Sequence, residues 1–328
     1  MRIRPRTMIQ CTLLLLILIL FILQVGTGEY AISPLDTIKS ILGMGQPDHD
    51  FIVRTLRLPR ALIAVCVGAC LASAGTLLQG VTRNPLASPS VIGLNAGAAL
   101  CAVIFIVWVQ IPSYWLPFAA FGGALLVAFL SYILAWKKGL SPIRMVLVGI
   151  GIASICHGFI TIVTTSGNIR LVNQATIWMT GSLYGRSWDQ LWPYLPWVII
   201  FLPIAWLCYR WLDILGLDDQ TSTGLGSRNH SSRTWILFIA VALAGSSVAT
   251  AGTIGFVGLM APHIARQLVG EKHVVLIPTA ALLGALIVLA SDFVGRTVLA
   301  PVEIPCGLIT AILGGPYMLY LLVRVRNQ

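Results

Sequence analysis

The chain has 328 residues, 57% of them hydrophobic and only 10% charged, with a net charge of +10. A soluble domain carries about 25% charged and about 45–50% apolar residues, so this composition excludes a soluble enzyme, a disordered protein and a small secreted scaffold. At about 20 apolar residues per crossing, some 187 apolar residues supply about eight to ten membrane spans, and the basic excess reads as loops on one side of a membrane rather than as nucleic-acid binding.

Arg2, Arg4 and Arg6 precede an apolar run from about Met8 to Val25. A basic start before an apolar run can mark a signal peptide, but no small-residue cleavage site closes this one. It is taken as the first span, with its N-terminus inside. Further runs follow at about 61–81, 91–109, 114–136, 145–165, 192–210, 234–251, 274–291 and 305–323. The short glycine-rich piece Gly252–Ala261 is a candidate tenth. Both ends are basic, with Arg324 and Arg326 at the close, so two cytoplasmic ends require an even number of spans, and ten satisfies this. On that count 14 of 21 basic residues lie inside, among them Arg83, Lys137, Lys138, Arg144, Arg210, Arg228, Arg233, Arg266 and Lys272. The outside keeps Lys39, Arg54, Arg57, Arg60, Arg170, Arg186 and Arg296. Arg54, Arg57 and Arg60 crowd the start of the second span, either as snorkelling interfacial anchors or as a docking surface for an acidic partner.

Catalytic and energy-coupling signatures are missing. The sequence holds no G-x-x-x-x-G-K-[ST] phosphate loop, no H-E-x-x-H, no G-x-S-x-G and no CxxC. The seven cysteines, Cys11, Cys66, Cys70, Cys101, Cys156, Cys208 and Cys306, all sit in apolar runs and read as small hydrophobes. The five histidines do not cluster with carboxylates. Only Asp292 and Glu303 border spans, whereas a proton- or sodium-driven carrier keeps a coordinating group near mid-membrane. His157 is the one candidate for that, which favours a pore-forming subunit driven by something else. Ser154, His157, Thr161 and Thr164 recur at spacings of three and four and share one helix face, as do Thr76, Gln79 and Arg83. Such stripes serve either as interhelical hydrogen bonding or as a polar pathway lining, with Gly149, Gly151 and Gly158 allowing close helix approach.

Residues 56–99, LRLPRALIAVCVGACLASAGTLLQGVTRNPLASPSVIGLNAGAA, resemble the permease subunits of the FecCD family of ABC importers, which carry ferric siderophores, haem and cobalamin. The resemblance continues through WMTGSLYGRSW at 178–188, LGLDDQTSTGLG at 215–226, GTIGFVGLMAPHIAR at 252–266 and ASDFVGRTVLAPVEIPCGLITAILGGP at 290–316. The ferric-citrate permeases are the readiest comparison, which leaves the substrate open. The resemblance implies an all-α integral membrane protein of about ten transmembrane helices, the type II importer fold of the cobalamin permease, as a single polytopic domain over 1–328. It implies a bacterial cytoplasmic-membrane location with both termini inside. The implied partners are a second permease chain, identical or sister, two ATPase subunits that hold ATP and magnesium, and an external substrate-binding protein. For this chain itself the resemblance implies a transport subunit rather than an enzyme, with no bound cofactor, metal or nucleic acid.

Carried over residue by residue, Arg57, Arg60 and Arg296 match the family's outer arginines, which meet glutamates of the binding protein; Arg54 and Arg186 are added on charge and side alone. The loop at 211–233 is the implied coupling loop to the ATPase, with Leu215, Gly216, Asp219, Gly224 and Gly226 its marked residues. It departs from the familiar L-x-L-G-E-x-x-A-R-x-L-G pattern, with Asp218 at the glycine, Asp219 at the glutamate, Ser222 at the alanine and Thr223 at the arginine, while Gly226 is kept. Leu86, Pro142 and Ile143, in the second-to-third and fourth-to-fifth connections, are the implied inner gate, where apolar side chains from two subunits would exclude water. Ser154, His157, Thr161 and Thr164 are the expected pathway lining. The reading is thus the permease subunit of an ATP-driven iron(III)-siderophore importer. The alternatives are a cobalamin or haem permease of the same fold, a membrane-embedded enzyme, which would need a catalytic cluster, and a stand-alone secondary carrier.

Overall fold

The structure, a computed structural model, describes residues 5–28, 30–136, 142–216 and 229–326. These residues form helices joined by short connections. They are α1 (Pro5–Gly26), α2 (Pro34–Leu42), α3 (Pro47–Thr82), α4 (Leu94–Val109), α5 (Leu116–Ala135), α6 (Pro142–Ser166), α7 (Ile169–Met179), α8 (Trp188–Leu207), α9 (Tyr209–Leu215), α10 (Asn229–Ala251), α11 (Val257–Val269), α12 (His273–Thr297) and α13 (Cys306–Arg326). Seven of them, α1, α3, α5, α6, α8, α10 and α12, are long and apolar enough to cross a membrane, while α4 and α13 are shorter apolar helices.

Local chemistry sets the helix ends. Pro34 opens α2 after Ser33, whose hydroxyl accepts the Asp36 N–H at 3.2 Å, and Gly43 closes it at φ 80°. At α8, Ser187 caps the first turn and Gln190 Oε1 accepts the Ser187 N–H at 2.8 Å, a reciprocal box that frees no donor. Pro193, Pro196 and Pro203 lie within α8; membrane helices tolerate proline where surrounding groups can re-satisfy the freed carbonyls.

Two elements differ from the sequence expectation. The second span does not start near residue 61: its helix begins at Pro47 and runs 36 residues. At 1.5 Å per residue that is about 54 Å, well beyond a hydrocarbon core of about 30 Å, so the first turns project past it. Hydropathy missed them because Asp48, Asp50, Arg54 and Arg57 dilute the window. The turn Phe51–Arg57 is π-wound. The candidate tenth span is displaced: residues 252–256 are a turn, and the 13-residue helix α11 follows it. Thirteen residues rise about 20 Å, so α11 goes only part of the way through.

Non-helical backbone at such depth must find partners inside the protein. Ser182 N–H donates to the Ala251 carbonyl at 2.8 Å, Gly307 N–H to the Gly181 carbonyl at 3.0 Å, and the Thr253 hydroxyl to the Met179 carbonyl. The turn before α11 is thereby stitched to the ends of α7 and α13. Phe256, at φ 64°, starts α11 with its ring packed where Gly314 of α13 leaves room.

Helices α3 and α10 form the centre, whereas α1, α6 and α8 expose most of their surface. The sequence of α3 explains its place. Gly68 and Gly75, seven residues apart and so on nearly one face, among alanines, serines and cysteines, let two other backbones approach closely. A Cβ at Gly68 would overlap the Gly284 carbonyl of α12, and one at Gly75 would overlap the Gly258 carbonyl of α11.

That contact is testable. Gly75→Ala is expected to lower the thermal transition of the detergent-solubilised chain, since overpacking costs about 1–3 kcal/mol. Gly122→Ala, where a Cβ meets nothing within 4 Å, should leave it unchanged. Thermal denaturation followed by size-exclusion chromatography compares the two.

Candidate functional site

The close crossing of α3 and α12 brings together side chains far apart in sequence. Arg57 and Arg60 lie one turn apart on α3, and Asp292 and Arg296 one turn apart on α12. Arg60 grips Asp292 with both arms: Nε donates to Oδ2 at 2.9 Å and Nη2 to Oδ1 at 2.8 Å. Its Nη1 lies 2.9 Å from Glu303 Oε2. The side chains of Arg60, Asp292 and Glu303 are 11%, 2% and 23% exposed, so the pair is buried and Glu303 is its edge.

The other two arginines turn toward α1. Arg57 Nη1 donates to the carbonyls of Val25 at 3.0 Å and Gly26 at 3.1 Å, and its Nη2 to that of Tyr30 at 2.7 Å. Arg296 Nη2 donates to the Gln24 carbonyl and, at 2.6 Å, to the Thr27 carbonyl. Gln24 Nε2 donates in turn to Asp292 Oδ2. The last carbonyls of a helix lack internal partners and carry the negative end of its dipole; here two guanidinium groups supply both donors and charge.

The structure thus gathers Arg57, Arg60 and Arg296 in one cluster, each with a partner inside the chain. Arg54 is exposed on the π-wound turn, its carbonyl held by the Trp188 indole at 2.8 Å. Arg186 is part-buried ahead of α8. Asp292, Glu303 and Gln24 were not picked out as partners from sequence. The available signal was two acids on the face assigned to the arginines, with Asp292 four residues before Arg296.

At the opposite end α9 is clamped between α3 and α12. Arg83 Nε donates to the Leu215 carbonyl at 2.7 Å, and His273 Nδ1 lies 2.6 Å from Asp213 Oδ1. Leu215 is buried and Gly216 ends the segment, while Asp219, Gly224 and Gly226 lie outside the described residues. Of the Thr76–Gln79–Arg83 face, Thr76 and Gln79 point into the bundle, Gln79 Oε1 accepting from Arg266 Nη1 of α11, while Arg83 is exposed at its end. A cavity of about 870 Å³, lined among others by Arg83, Arg266, His263 and His273, opens there.

The α6 stripe lies outward. Ser154, His157 and Thr161 are exposed and Thr164 is half-buried. The hydroxyls of Ser154, Thr161 and Thr164 donate to the carbonyls of Ile150, His157 and Ile160 at 3.0, 2.9 and 2.9 Å. Bonded within their own helix, they need no partner across it, so the hydroxyls alone do not dictate what this face meets. Ile155 and Ile162 are exposed as well. Gly149 approaches the 91–92 backbone closely, while Gly151 and Gly158 face open space. Of the implied gate, Leu86 is 37% and Ile143 74% exposed, and Pro142 is the first residue of α6. Among the described residues no group of three His, Cys, Asp or Glu is placed to hold a metal.

A bundle of membrane-crossing helices with an ion-pair cluster at one end, and among the described residues no group of side chains placed to hold a metal, has the form of a transport permease. The FecCD transport family model matches residues 15–324, and the chain belongs to this family. It is 44% identical over 315 residues to the Fe(3+)-citrate import system permease protein YfmE of Bacillus subtilis (strain 168), covering 94% of this chain and 93% of that one. Identity to the iron(3+)-hydroxamate import system permease protein FhuG of the same organism is 42% over 318 residues, covering 94% and 95%. Among solved structures, a chain of a metal-chelate type ABC transporter in an inward-facing conformation superposes with a TM-score of 0.88 at 28% identity, covering 97% of this chain and 99% of that one.

The arginine cluster yields a stability prediction. Asp292→Asn leaves the buried Arg60 charge with only the edge carboxylate of Glu303 opposite it and is expected to cost up to about 3–5 kcal/mol. Arg60→Met combined with Asp292→Leu should recover much of that loss. Thermal unfolding of single and double variants reads it; additive losses would show that the two side chains do not act as a pair.

Proposed function

We propose that this chain is the permease subunit of an ATP-driven importer that moves an iron(III)-siderophore complex, delivered by a binding protein outside the cell membrane, into the cytoplasm. The observation carrying this is the family match over nearly the whole chain, together with relatives named for iron(III) citrate and iron(III) hydroxamate import. ATP and magnesium belong on separate ATPase chains. The second permease chain seats on the outward face of α6, where Gly151 and Gly158 leave open space beside His157. Ser154, His157, Thr161 and Thr164 then border the route between the two chains, and Leu86, Pro142 and Ile143 close its inner end.

The binding protein docks at the Arg60 end, on the surface around Arg57, Arg60 and Arg296, with Arg54 and Arg186 at its rim. The ATPase engages the opposite end at Leu215, Gly216 and the residues after them, including Asp219, Gly224 and Gly226. What supports this is the clamping of α9 to both α3 and α12, which lets a push on the segment reach the span helices.

Reconstitution tests the whole reading. Proteoliposomes holding this chain with its neighbouring ATPase and permease products should accumulate labelled ferric siderophore only with ATP inside the ATPase compartment and binding protein opposite. Uptake without ATP, or of cobalamin or haem alone, would overturn it.

Docking has its own test. Rim charges act chiefly on association rate, so Arg54→Glu should slow binding-protein association several-fold at low salt and flatten its salt dependence, with unchanged thermal stability. Equal association kinetics would remove Arg54 from the docking surface. For coupling, Asp213→Asn should lower transport per ATP hydrolysed; an unchanged ratio would mean that the α9 clamp does not transmit the stroke.

A further inference from the structure

Helix α2 is built inside out. Its buried side chains are the polar Thr37 and Ser40, whereas Leu35 and Leu42 are 73% and 63% exposed and Ile38 is exposed between them. At 3.6 residues per turn these three share one narrow arc, with Lys39 at its edge. Met44, just past the closing Gly43, is exposed as well. A helix on a water-covered surface turns its apolar stripe inward. A contiguous apolar face turned outward is a contact surface.

The packing of α2 sets its level relative to the membrane. The apolar span of α1 runs 21 residues from Arg6 to Gly26, about 31 Å, which matches a hydrocarbon core of about 30 Å. Gly26 therefore stands at the boundary of the core. α2 rests on this last turn: Ile32 N–H donates to the Gly26 carbonyl at 2.9 Å, and a Cβ at Gly26 would lie 2.9 Å from Thr37 Oγ1. The polar side of α2 thus meets the end of a span, and its apolar side turns away from the protein at the same level. α1 exposes Leu15, Leu18, Ile19 and Leu23 up to that boundary. Tyr30, between the two helices, is exposed too, where aromatic rings gather among lipid headgroups. Lys39, 3.7 Å from Asp36 and largely exposed, has a stem able to follow apolar surface while its ammonium stays among headgroups.

We propose that α2 is an interfacial helix, lying in the bilayer surface at the Arg60 end with Leu35, Ile38, Leu42 and Met44 sunk between headgroups and acyl chains. Helices of this kind bury their apolar face about 5–10 Å into that layer. The bilayer is the occupant because the end of α1 fixes α2 at its boundary and because lipid covers the face at all times, which a docking protein that comes and goes does not. The anchoring reaches the π-wound turn of α3. A Cβ at Gly43 would lie 3.2 Å from Arg54 Nη2, so α2 held in lipid sets the height of Arg54 above the membrane. The inference rests on the chain spanning a membrane and is independent of its cargo and of the docking surface.

The test uses the full-length chain with the subunits that accompany it, in vesicles of phosphatidylethanolamine and phosphatidylglycerol. Photoreactive benzoylphenylalanine replaces Leu35, Ile38, Leu42 or Asp48, one at a time, and mass spectrometry reads the adducts. Asp48 is exposed on the first turn of α3, past the hydrocarbon core. Lipid adducts at Leu35, Ile38 and Leu42 should exceed those at Asp48 several-fold, as expected for a face sunk in the interface. Equal lipid adducts at all four positions would overturn the proposal. So would binding-protein adducts that replace the lipid adducts when that protein is added, since they would make this face part of a docking surface. Should the probe disturb folding, a lipid with a photoreactive group near its glycerol backbone decides on the unaltered chain. Labelling of the 34–44 peptide supports the interfacial helix, and its absence while α1 is labelled overturns it.

Discussion

The bidentate pair between Arg60 and Asp292 fixes the place where α3 meets α12, and the Arg60 end of the bundle is arranged around it. Isolated in an apolar interior, either charge would be costly. Together they still need their remaining donors and acceptors satisfied, and Gln24 and Glu303 meet that need. Gln24 brings α1 into the same network, and Arg57 and Arg296 then close the end of α1 on its own carbonyls. The glycine contacts between α3 and α12 are the geometric condition for all of this, because wider spacing would put Arg60 out of reach of Asp292.

Much of this was legible in the amino-acid sequence. Hydropathy located the long helices, because a span has to satisfy its backbone internally and so must be an uninterrupted apolar helix. It failed where that demand is relaxed. The first turns of α3 carry charges and escape an apolar window, and α11 can be short because the turn before it is stitched to neighbouring backbone. The three arginines were found by their charge and side. Their neighbours were not, because a buried ion pair depends on which helices cross, and spacing along one helix does not encode that. The α6 stripe teaches a related lesson: helical spacing correctly placed its four polar residues on one face, yet their hydroxyls bond to their own backbone and so leave the face's partner undetermined.

The two ends of the molecule are built on different principles. At the Arg60 end, charges are paired with charges and helix carbonyls inside a tight, low-exposure cluster. At the Arg83 end, the contacts are fewer and single, from Arg83 to a backbone carbonyl and from His273 to Asp213, around an open polar cavity. The Arg60 end is thus held by several mutually dependent bonds, and the Arg83 end by a few separate ones.

One helix belongs to both ends. α3 carries Arg57 and Arg60 in its first half and is followed directly by Arg83, which holds α9. Mechanically it is a largely buried strut, and the length of about 33 Å from Arg60 to Thr82, leaning by about 5°, shifts the tip by about 3 Å, roughly half a helical turn. Small rotations at the fulcrum formed with α12 are therefore magnified at the tip. One rigid element therefore joins the contacts at the two ends of the bundle directly, with no loop between them.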